Sequence, residues 1–225
     1  MNGVIGAKGV GKTSILTRIC KGRLPMPEEP YDPLYEQGCR QVTEIDGQNY
    51  TIDALEMPSK HLWRDDLVQQ AINITEAAIV VNPLVEQQPM GVAPGFQAGG
   101  AVNGVPSGSG AREYALLLVG NKSDAGDDAR RIAYSDGSKV AASWHVKTSF
   151  MEVSAMTGNQ ITLLFPKIGK EILTLRSINQ QRKEFAEKME RMKAEAHEVQ
   201  VRRKQGGLWR RLSRSFFTRR EVAQI

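Results

Sequence analysis

The sequence predicts an α/β fold, in which buried parallel strands alternate with helices. A short apolar run, Val4–Ile5, is followed by a glycine-rich turn and then by residues of helical character up to Cys20. Two further apolar runs, 77–81 and 115–120, are short and uninterrupted, as buried strands of a parallel sheet are. From about Asn159, apolar residues recur along one side of a predicted final body helix.

The elements between these landmarks follow in chain order. A helix is predicted over 12–21, and strands near 39–46 and 49–56 are joined by a tight Asp-Gly turn, which is a strong hairpin signal. Apolar residues at helical spacing predict a helix over 61–74, and a shorter one over 135–144.

The glycine-rich turn carries the most specific motif of the sequence. Residues 6–13 are Gly-Ala-Lys-Gly-Val-Gly-Lys-Thr, which fill every required position of a phosphate-binding loop between a strand and a helix. Glycines let backbone N–H groups point at phosphate oxygens, and the positive end of the following helix adds to the attraction. Lys12 is expected to reach the β- and γ-phosphates, and the Thr13 hydroxyl to bind Mg²⁺. The predicted phosphate contacts are Gly6, Lys8, Gly9, Val10, Gly11, Lys12, Thr13 and Ser14.

The base is indicated by Asn-Lys-Ser-Asp at 121–124, directly after a predicted buried strand. The Asp124 carboxylate can accept the N1–H and the 2-amino N–H of guanine, which adenine does not offer. Asn121 can form a hydrogen bond with the edge of the base and brace the phosphate loop, and the aliphatic part of the Lys122 side chain can lie on the ring face. A third element, the apolar run from Phe150, would place the Ala155 N–H against the guanine carbonyl oxygen. The predicted base contacts are Asn121, Lys122, Asp124, Ser154, Ala155 and Met156.

These motifs resemble those of Ras-type small GTPases, and the matching elements run from Gly6 to about Arg176. Tyr-Asp-Pro at 31–33, within the proline-rich segment 22–35, resembles the start of the family's first switch. The resemblance implies a P-loop NTPase fold with a doubly wound, mostly parallel six-stranded sheet, helices on both faces and a nucleotide at the carboxyl ends of the strands. It implies GTP or GDP as the ligand, with Mg²⁺.

Four positions depart from the family pattern, and they bear on GTP hydrolysis. Leu34 lies where the first switch places a Mg²⁺-binding Thr. In the second switch, Glu56 replaces an Asp and could hold Mg²⁺ through a water, and Ser59 replaces a Gly that contacts the γ-phosphate. Lys60 replaces the Gln that orients the attacking water, and a Lys side chain has no acceptor for that water. We expect slow hydrolysis, with Lys12 and Lys60 as the candidate catalytic residues.

Two further features leave alternatives open. Lys8 is either a solvated charge on the loop rim, or a cation near the γ-phosphate where the family has a small residue. Residues 89–110 contain seven glycines and three prolines, which argues against the helix that the family has there. This segment is either a tolerated insertion, which we favour, or a docking surface for another helix.

The sequence predicts three parts: a Ras-like domain at 1–176, a charged helical extension at 177–204 and a basic amphipathic tail at 205–225. The extension is either a solvated continuation of the last body helix, which we favour, or a short heptad seam. The apolar residues of that seam are Phe185, Met189, Met192, Ala196 and Val199.

The tail concentrates the positive charge of the chain. Residues 202–225 carry +7 and the remainder −2, which accounts for the formal net charge of +5. Basic residues with interleaved Leu, Trp and Phe over 202–220 predict reversible binding to an anionic membrane surface, or a calmodulin-type target. No cysteine follows Cys39, so prenylation is not expected. Nucleic-acid binding is less favoured and no DNA partner is expected, because clustered aromatic residues suit the lipid interface.

The two cysteines and the absence of a secretory leader fit a reducing cytosol, and the three histidines lack metal-ligand spacing. We therefore expect a cytoplasmic protein, peripheral at the inner face of the plasma membrane or an endomembrane. The leading hypothesis is a GTP-binding signalling switch, and the alternative is a hydrolysis-deficient GTP-binding scaffold. An ATP-using enzyme is disfavoured by Asp124. The effectors and the exchange factor are not identified by the sequence.

Overall fold

The structure, a computed structural model, describes residues 1–26, 38–85, 114–144 and 148–220. Side chains are described over the same ranges, except at 62–63, 65–66, 68–69, 199–200 and 203–220. The expectations about Leu34 and the Tyr-Asp-Pro segment, the glycine-rich segment 89–110 and the last five residues fall outside the described residues. The chain divides into two compact units, Met1–Arg176 and Ser177–Ile225.

The first unit is built on one six-stranded sheet with the strand order β2-β3-β1-β4-β5-β6. Strand β2 is antiparallel to β3, and every other neighbouring pair is parallel. The predicted mostly parallel, doubly wound sheet is therefore confirmed. The strands are β1 Asn2–Ile5, β2 Gly38–Ile45, β3 Gln48–Glu56, β4 Ala77–Pro83, β5 Ala115–Asn121 and β6 Thr148–Glu152.

The described residues form four α-helices: α1 Lys12–Lys21, α2 Asp65–Ile74, α3 Tyr134–Ser143 and α4 Leu164–Arg220. The bounds of α1 are those expected from the sequence, and Gly22 ends it in a left-handed conformation with its N–H donated to the Arg18 carbonyl.

The helix predicted over 61–74 begins later than expected, because a 3₁₀ turn over Ser59–Trp63 precedes it and Arg64 is extended. It starts at Asp65. The final body helix begins at Leu164 rather than near Asn159, because Gln160 has a positive φ and a 3₁₀ turn over Ile161–Leu163 follows it.

Both faces of the sheet are covered by packed apolar side chains, as the resemblance implied. Strand β4 shows this, because Ala77, Ile79 and Val81 belong to one buried cluster, whereas Ala78 and Val80 belong to another. The first cluster takes Ile15 and Leu16 from α1 and Leu164, Phe165 and Ile168 from α4, and the second takes Ala141 from α3.

A disulfide joins Cys20, at the end of α1, to Cys39 in β2, with the Cα atoms 5.9 Å apart. The sequence indicated a reducing cytosol, where disulfides in most proteins are transient or redox-sensing. Because these residues flank 21–38, the bond closes a loop around the segment that resembles the first switch. Among the described residues, no helix has the length and apolar content needed to cross a bilayer.

Candidate nucleotide-binding site

The phosphate-binding loop connects β1 to α1, and its path depends on glycine at two tightly packed positions. Gly11 has φ +97°, and a Cβ added there would lie 2.2 Å from Nδ2 of Asn121. A Cβ added to Gly6, which has φ +152°, would lie 2.4 Å from the carbonyl oxygen of Val81. Any side chain would therefore collide with the neighbouring strand ends at both positions.

Lys12 is buried beneath this loop, with a relative exposure of 5%. Its ammonium donates to the carbonyl oxygens of Gly6, at 3.1 Å, and Ala7, at 2.9 Å. It also lies 3.9 Å from Oε1 of Glu56. Burial lowers the pKa of Lys12, and the Glu56 carboxylate opposes that shift. Lys12 is thus a buried cation whose charge a bound anion would stabilise.

The two predicted Mg²⁺ ligands lie side by side. The Thr13 hydroxyl donates to Oε2 of Glu56 at 2.7 Å, because α1 begins where β3 ends. Mg²⁺ prefers oxygen ligands, and usually takes one or two from the protein and the rest from phosphates and waters. A hydroxyl beside a carboxylate fits that preference. No group of three or more metal-binding side chains occurs within the described ranges, so an all-protein metal cage is not seen there.

One amide side chain connects the three loops of the site. Asn121 is 2% exposed, and its Nδ2 donates to the carbonyl oxygen of Val10 at 2.9 Å. Its Oδ1 accepts the N–H of Ala155 at 3.1 Å. The side chain therefore braces the phosphate loop, as expected from the sequence. The Ala155 N–H was expected to meet the guanine carbonyl oxygen, but it is engaged with Asn121, whose Oδ1 lies within reach.

The carboxylate of Asp124 is oriented by a neighbouring loop. Ser154 donates its hydroxyl to Oδ1 of Asp124 and accepts the N–H of Thr157 at 3.0 Å. The preceding Lys122 has a φ of +68°, which is unfavourable for a residue with a Cβ. Backbone strain of this kind is concentrated at functional sites, where the surrounding structure holds it in place.

A cavity of about 490 Å³ brings the two ends of the site together. This volume is within the range of small-molecule sites. Its lining includes eight of the predicted contacts: Gly9, Gly11, Ser14, Asn121, Lys122, Asp124, Ala155 and Met156.

The remaining predicted contacts lie outside the lining. Val10 is in the core at 1% exposure and offers only its backbone, Ser154 is fully buried behind Asp124, and Lys8 is exposed on the loop. Gly6, Lys12 and Thr13 lie beneath the loop and at the start of α1, in the contacts described above.

Four lining residues were not anticipated: Leu24, Pro25, Val85 and Ala125. Leu24 and Pro25 follow the glycine that ends α1, and Val85 follows β4. Nothing in their local pattern separates them from ordinary loop residues. They give the cavity apolar walls, which suit a planar ring.

The two substituted second-switch residues lie in the 3₁₀ turn before α2. Ser59 is half-buried and Lys60 is exposed, and neither is among the residues that line the cavity. The turn therefore does not bring Lys60 to the cavity in this structure.

Replacing Asn121 by Ala tests the bridge between the loops. We expect the variant to lose about 2–4 kcal/mol of unfolding free energy, because two buried backbone groups lose their partner. Urea denaturation of the nucleotide-free protein measures this loss. Asn82→Ala is the matched control: Asn82 is also buried at a strand end, but its Nδ2 has no hydrogen-bond partner in the described structure, so we expect about 1 kcal/mol or less. Equal losses would contradict the bridge.

Comparison with known proteins agrees with this geometry. The model of the Ras family matches residues 3–174. The Ras-like protein rasX of Dictyostelium discoideum is 28% identical over 165 residues, which cover 72% of this chain and 70% of that protein. The GTP-binding protein Di-Ras1 of Mus musculus is 29% identical, with 76% and 79% covered, and the GTP-binding protein drn-1 of Caenorhabditis elegans is 29% identical, with 73% and 71% covered. The chain belongs to the Ras family of GTP-binding small GTPases.

Proposed function

We propose that this protein is a guanine-nucleotide switch that hydrolyses GTP slowly and is held at a membrane surface by its basic tail. One observation carries the nucleotide part of the proposal. A single cavity is lined by the phosphate loop at Gly9 and Gly11 and by Asp124, which are 113 or more residues apart in sequence. Both ends of a guanosine polyphosphate would therefore find their partners in one site.

At the phosphate end, the buried Lys12 ammonium would balance the charge of the β- and γ-phosphates. Mg²⁺ would be held by Thr13 and, through a water, by Glu56, and it would neutralise charge on the phosphate oxygens. At the purine end, Ser154 donates to Oδ1 of Asp124, and the carboxylate held in this way would accept the guanine N–H groups. The aliphatic part of Lys122 would cover one face of the ring.

Exchanging Asp124 for Asn tests which base is read. We expect affinity for GDP to fall about tenfold to a hundredfold, because a charged acceptor of two N–H groups is lost. Affinity for xanthosine diphosphate should rise, because its 2-oxo group can accept from the new amide. Competition against a fluorescent guanine nucleotide measures both. Asp127→Asn, at an exposed position outside the cavity lining, should leave both affinities unchanged. An unaltered preference in D124N would show that Asp124 does not read the base.

Slow hydrolysis is proposed from the second switch. Lys60 offers only donors, so it cannot accept a hydrogen bond from an attacking water as an amide does. Ser59 is half-buried at the start of a 3₁₀ turn, where the family has a more permissive Gly. Ordinary Ras-type proteins already hydrolyse GTP at only about 10⁻⁴ s⁻¹ without a partner. If these substitutions abolish the remaining rate, the protein acts as a GTP-bound scaffold, which is the second candidate function.

The rate is tested by single-turnover hydrolysis of labelled GTP. We expect the wild-type rate to lie below about 10⁻⁴ s⁻¹ and the double variant Ser59→Gly/Lys60→Gln to raise it roughly tenfold, because a water-positioning amide is restored. Lys139→Gln, at an exposed position of α3, should leave the rate unchanged. A wild-type rate equal to that of an ordinary Ras-type protein would refute the proposal. The identity of the nucleotide released from the purified protein distinguishes the two candidate functions: GTP would support the scaffold, and GDP would support the switch.

The membrane part of the proposal rests on the tail. The backbone is helical up to Arg220, and eight basic residues lie over 202–220 with only one acid, Glu221, after them. Each basic residue near an anionic leaflet contributes about 1 kcal/mol, so eight charges with apolar anchors would give reversible attachment. We propose a cytoplasmic protein that is peripheral at the inner face of the plasma membrane or an endomembrane.

Flotation with anionic vesicles tests the attachment. The full chain should float with the vesicles at low salt and much less at high salt, because exposed charges are screened. A variant with Gln in place of the arginines at 210, 211, 214, 219 and 220 keeps the apolar anchors and should stay at the bottom. A chain with five exposed lysines outside the tail exchanged for Gln is the matched control and should float. Flotation of the neutralised tail would refute an electrostatic attachment.

A further inference from the structure

The helical extension carries a row of exposed apolar side chains. Phe185 is 66% exposed, Met192 54% and Met189 38%, and Ala196 is exposed as well. Their spacing of four, three and four residues places them on one face of the helix. Exposure of a row of large apolar side chains to water is unfavourable, so this face favours contact with an apolar partner surface.

We propose that this partner is the same segment of a second copy of the chain, and that the two helices pair antiparallel. In heptad terms, Phe185 and Met192 occupy d positions, and Met189 and Ala196 occupy a positions. We call these four residues the seam. The choice of partner and of direction follows from the sizes of the seam residues and from the charges beside them.

Side-chain size favours the antiparallel arrangement. When residue 189 of one copy lies opposite residue 192 of the other, Phe185 lies opposite Ala196, and the two Met residues lie opposite each other. Each layer then joins a large with a small side chain, or two of medium size, so that the layers have similar widths. A parallel pair would stack Phe185 on Phe185 and Ala196 on Ala196, which gives one overfilled and one underfilled layer.

The charged residues beside the seam also favour the antiparallel arrangement. Lys188 and Glu195 flank the seam at g positions, and Lys193 flanks it at an e position; all three are exposed. In the antiparallel register, Lys188 of each copy lies opposite Glu195 of the other, which gives two attractive pairs, and Lys193 faces Ala186. In a parallel pair, Lys188 would face Lys193 of the other copy twice, and Arg182 would face Arg182. Opposite charges therefore specify the antiparallel direction and like charges disfavour the parallel one.

The register also matches the length of the extension. With residues 189 and 192 opposite each other, residue 177 of one copy lies opposite residue 204 of the other. The paired segment thus runs from the start of the second unit, Ser177, to just before Gly206-Gly207, where helix propensity is lowest. A seam of this length without Leu or Ile gives modest affinity, with dimers expected at concentrations of ~100 μM.

The test is sedimentation equilibrium of the full chain, with constant nucleotide and no lipid, over a range of concentrations up to about 200 μM. Wild type should dimerise. Lys188→Glu and Glu195→Lys should each weaken the dimer on the order of tenfold, because two attractive pairs become repulsive. The double variant Lys188→Glu/Glu195→Lys should restore wild-type affinity. Recovery of this kind identifies a direct pair between copies.

Lys183→Glu is the matched control, because it makes the same charge change at an exposed position away from the seam. Like Lys188→Glu, it also removes a lysine that lies four residues from a glutamate on the same helix. It should leave the dimer unchanged, and circular dichroism should show equal helix content in both variants. A parallel pair predicts the opposite sign, because Lys188→Glu would then strengthen the dimer. Either that result, or a monomer throughout the range, overturns the proposal. Loss of vesicle flotation in Phe185→Glu would assign the seam to lipid instead, and would overturn it as well.

Discussion

The site depends on one buried amide. Asn121 ends β5 and holds the carbonyl of Val10 with its nitrogen and the N–H of Ala155 with its oxygen, so that the phosphate loop, the base loop and the loop after β6 keep fixed positions. The same nitrogen is the reason that Gly11 has no side chain, because a Cβ would lie 2.2 Å from it. An amide suits this position because it offers a donor and an acceptor on one rigid group.

The residues proposed for nucleotide binding and those proposed to slow hydrolysis lie on different elements of the fold. The groups expected to hold the nucleotide follow β1, β5 and β6, whose carboxyl ends meet at one edge of a parallel sheet. The substituted residues Ser59 and Lys60 follow β3 and lie in a 3₁₀ turn that does not line the cavity. Changes there can alter the rate of hydrolysis without removing the contacts that hold the ligand. This separation makes a protein that binds GTP and hydrolyses it slowly physically reasonable.

The second unit has two surfaces of different chemistry along one helix. Its first part, 177–204, combines exposed apolar residues with charges of both signs, as the pairs Glu190–Lys193 and Glu198–Arg202 show. In its last part, 205–225, every charged residue except Glu221 is basic. The first composition suits contact with a protein of the same kind, because mixed charges can be matched. The second suits a surface of uniform negative charge. The two proposals for this unit share only residues 202–204 and otherwise depend on different parts of the helix.

Short sequence motifs and apolar runs were enough to predict the phosphate loop, the parallel direction of the buried strands, the bounds of α1 and the bracing role of Asn121. These features depend on short motifs whose chemistry allows few alternatives, such as glycines at constrained positions and an apolar run long enough for one strand. The resemblance to a known family supplied the rest of the sheet. The tertiary structure alone decided three features. The Cys20–Cys39 disulfide and the apolar walls at Leu24, Pro25, Val85 and Ala125 bring together residues distant in sequence, and the Ala155 N–H binds Asn121 because the end of β5 lies within hydrogen-bond distance of it. A sequence states which groups can bond, but only the packing of strands and helices decides which of them meet.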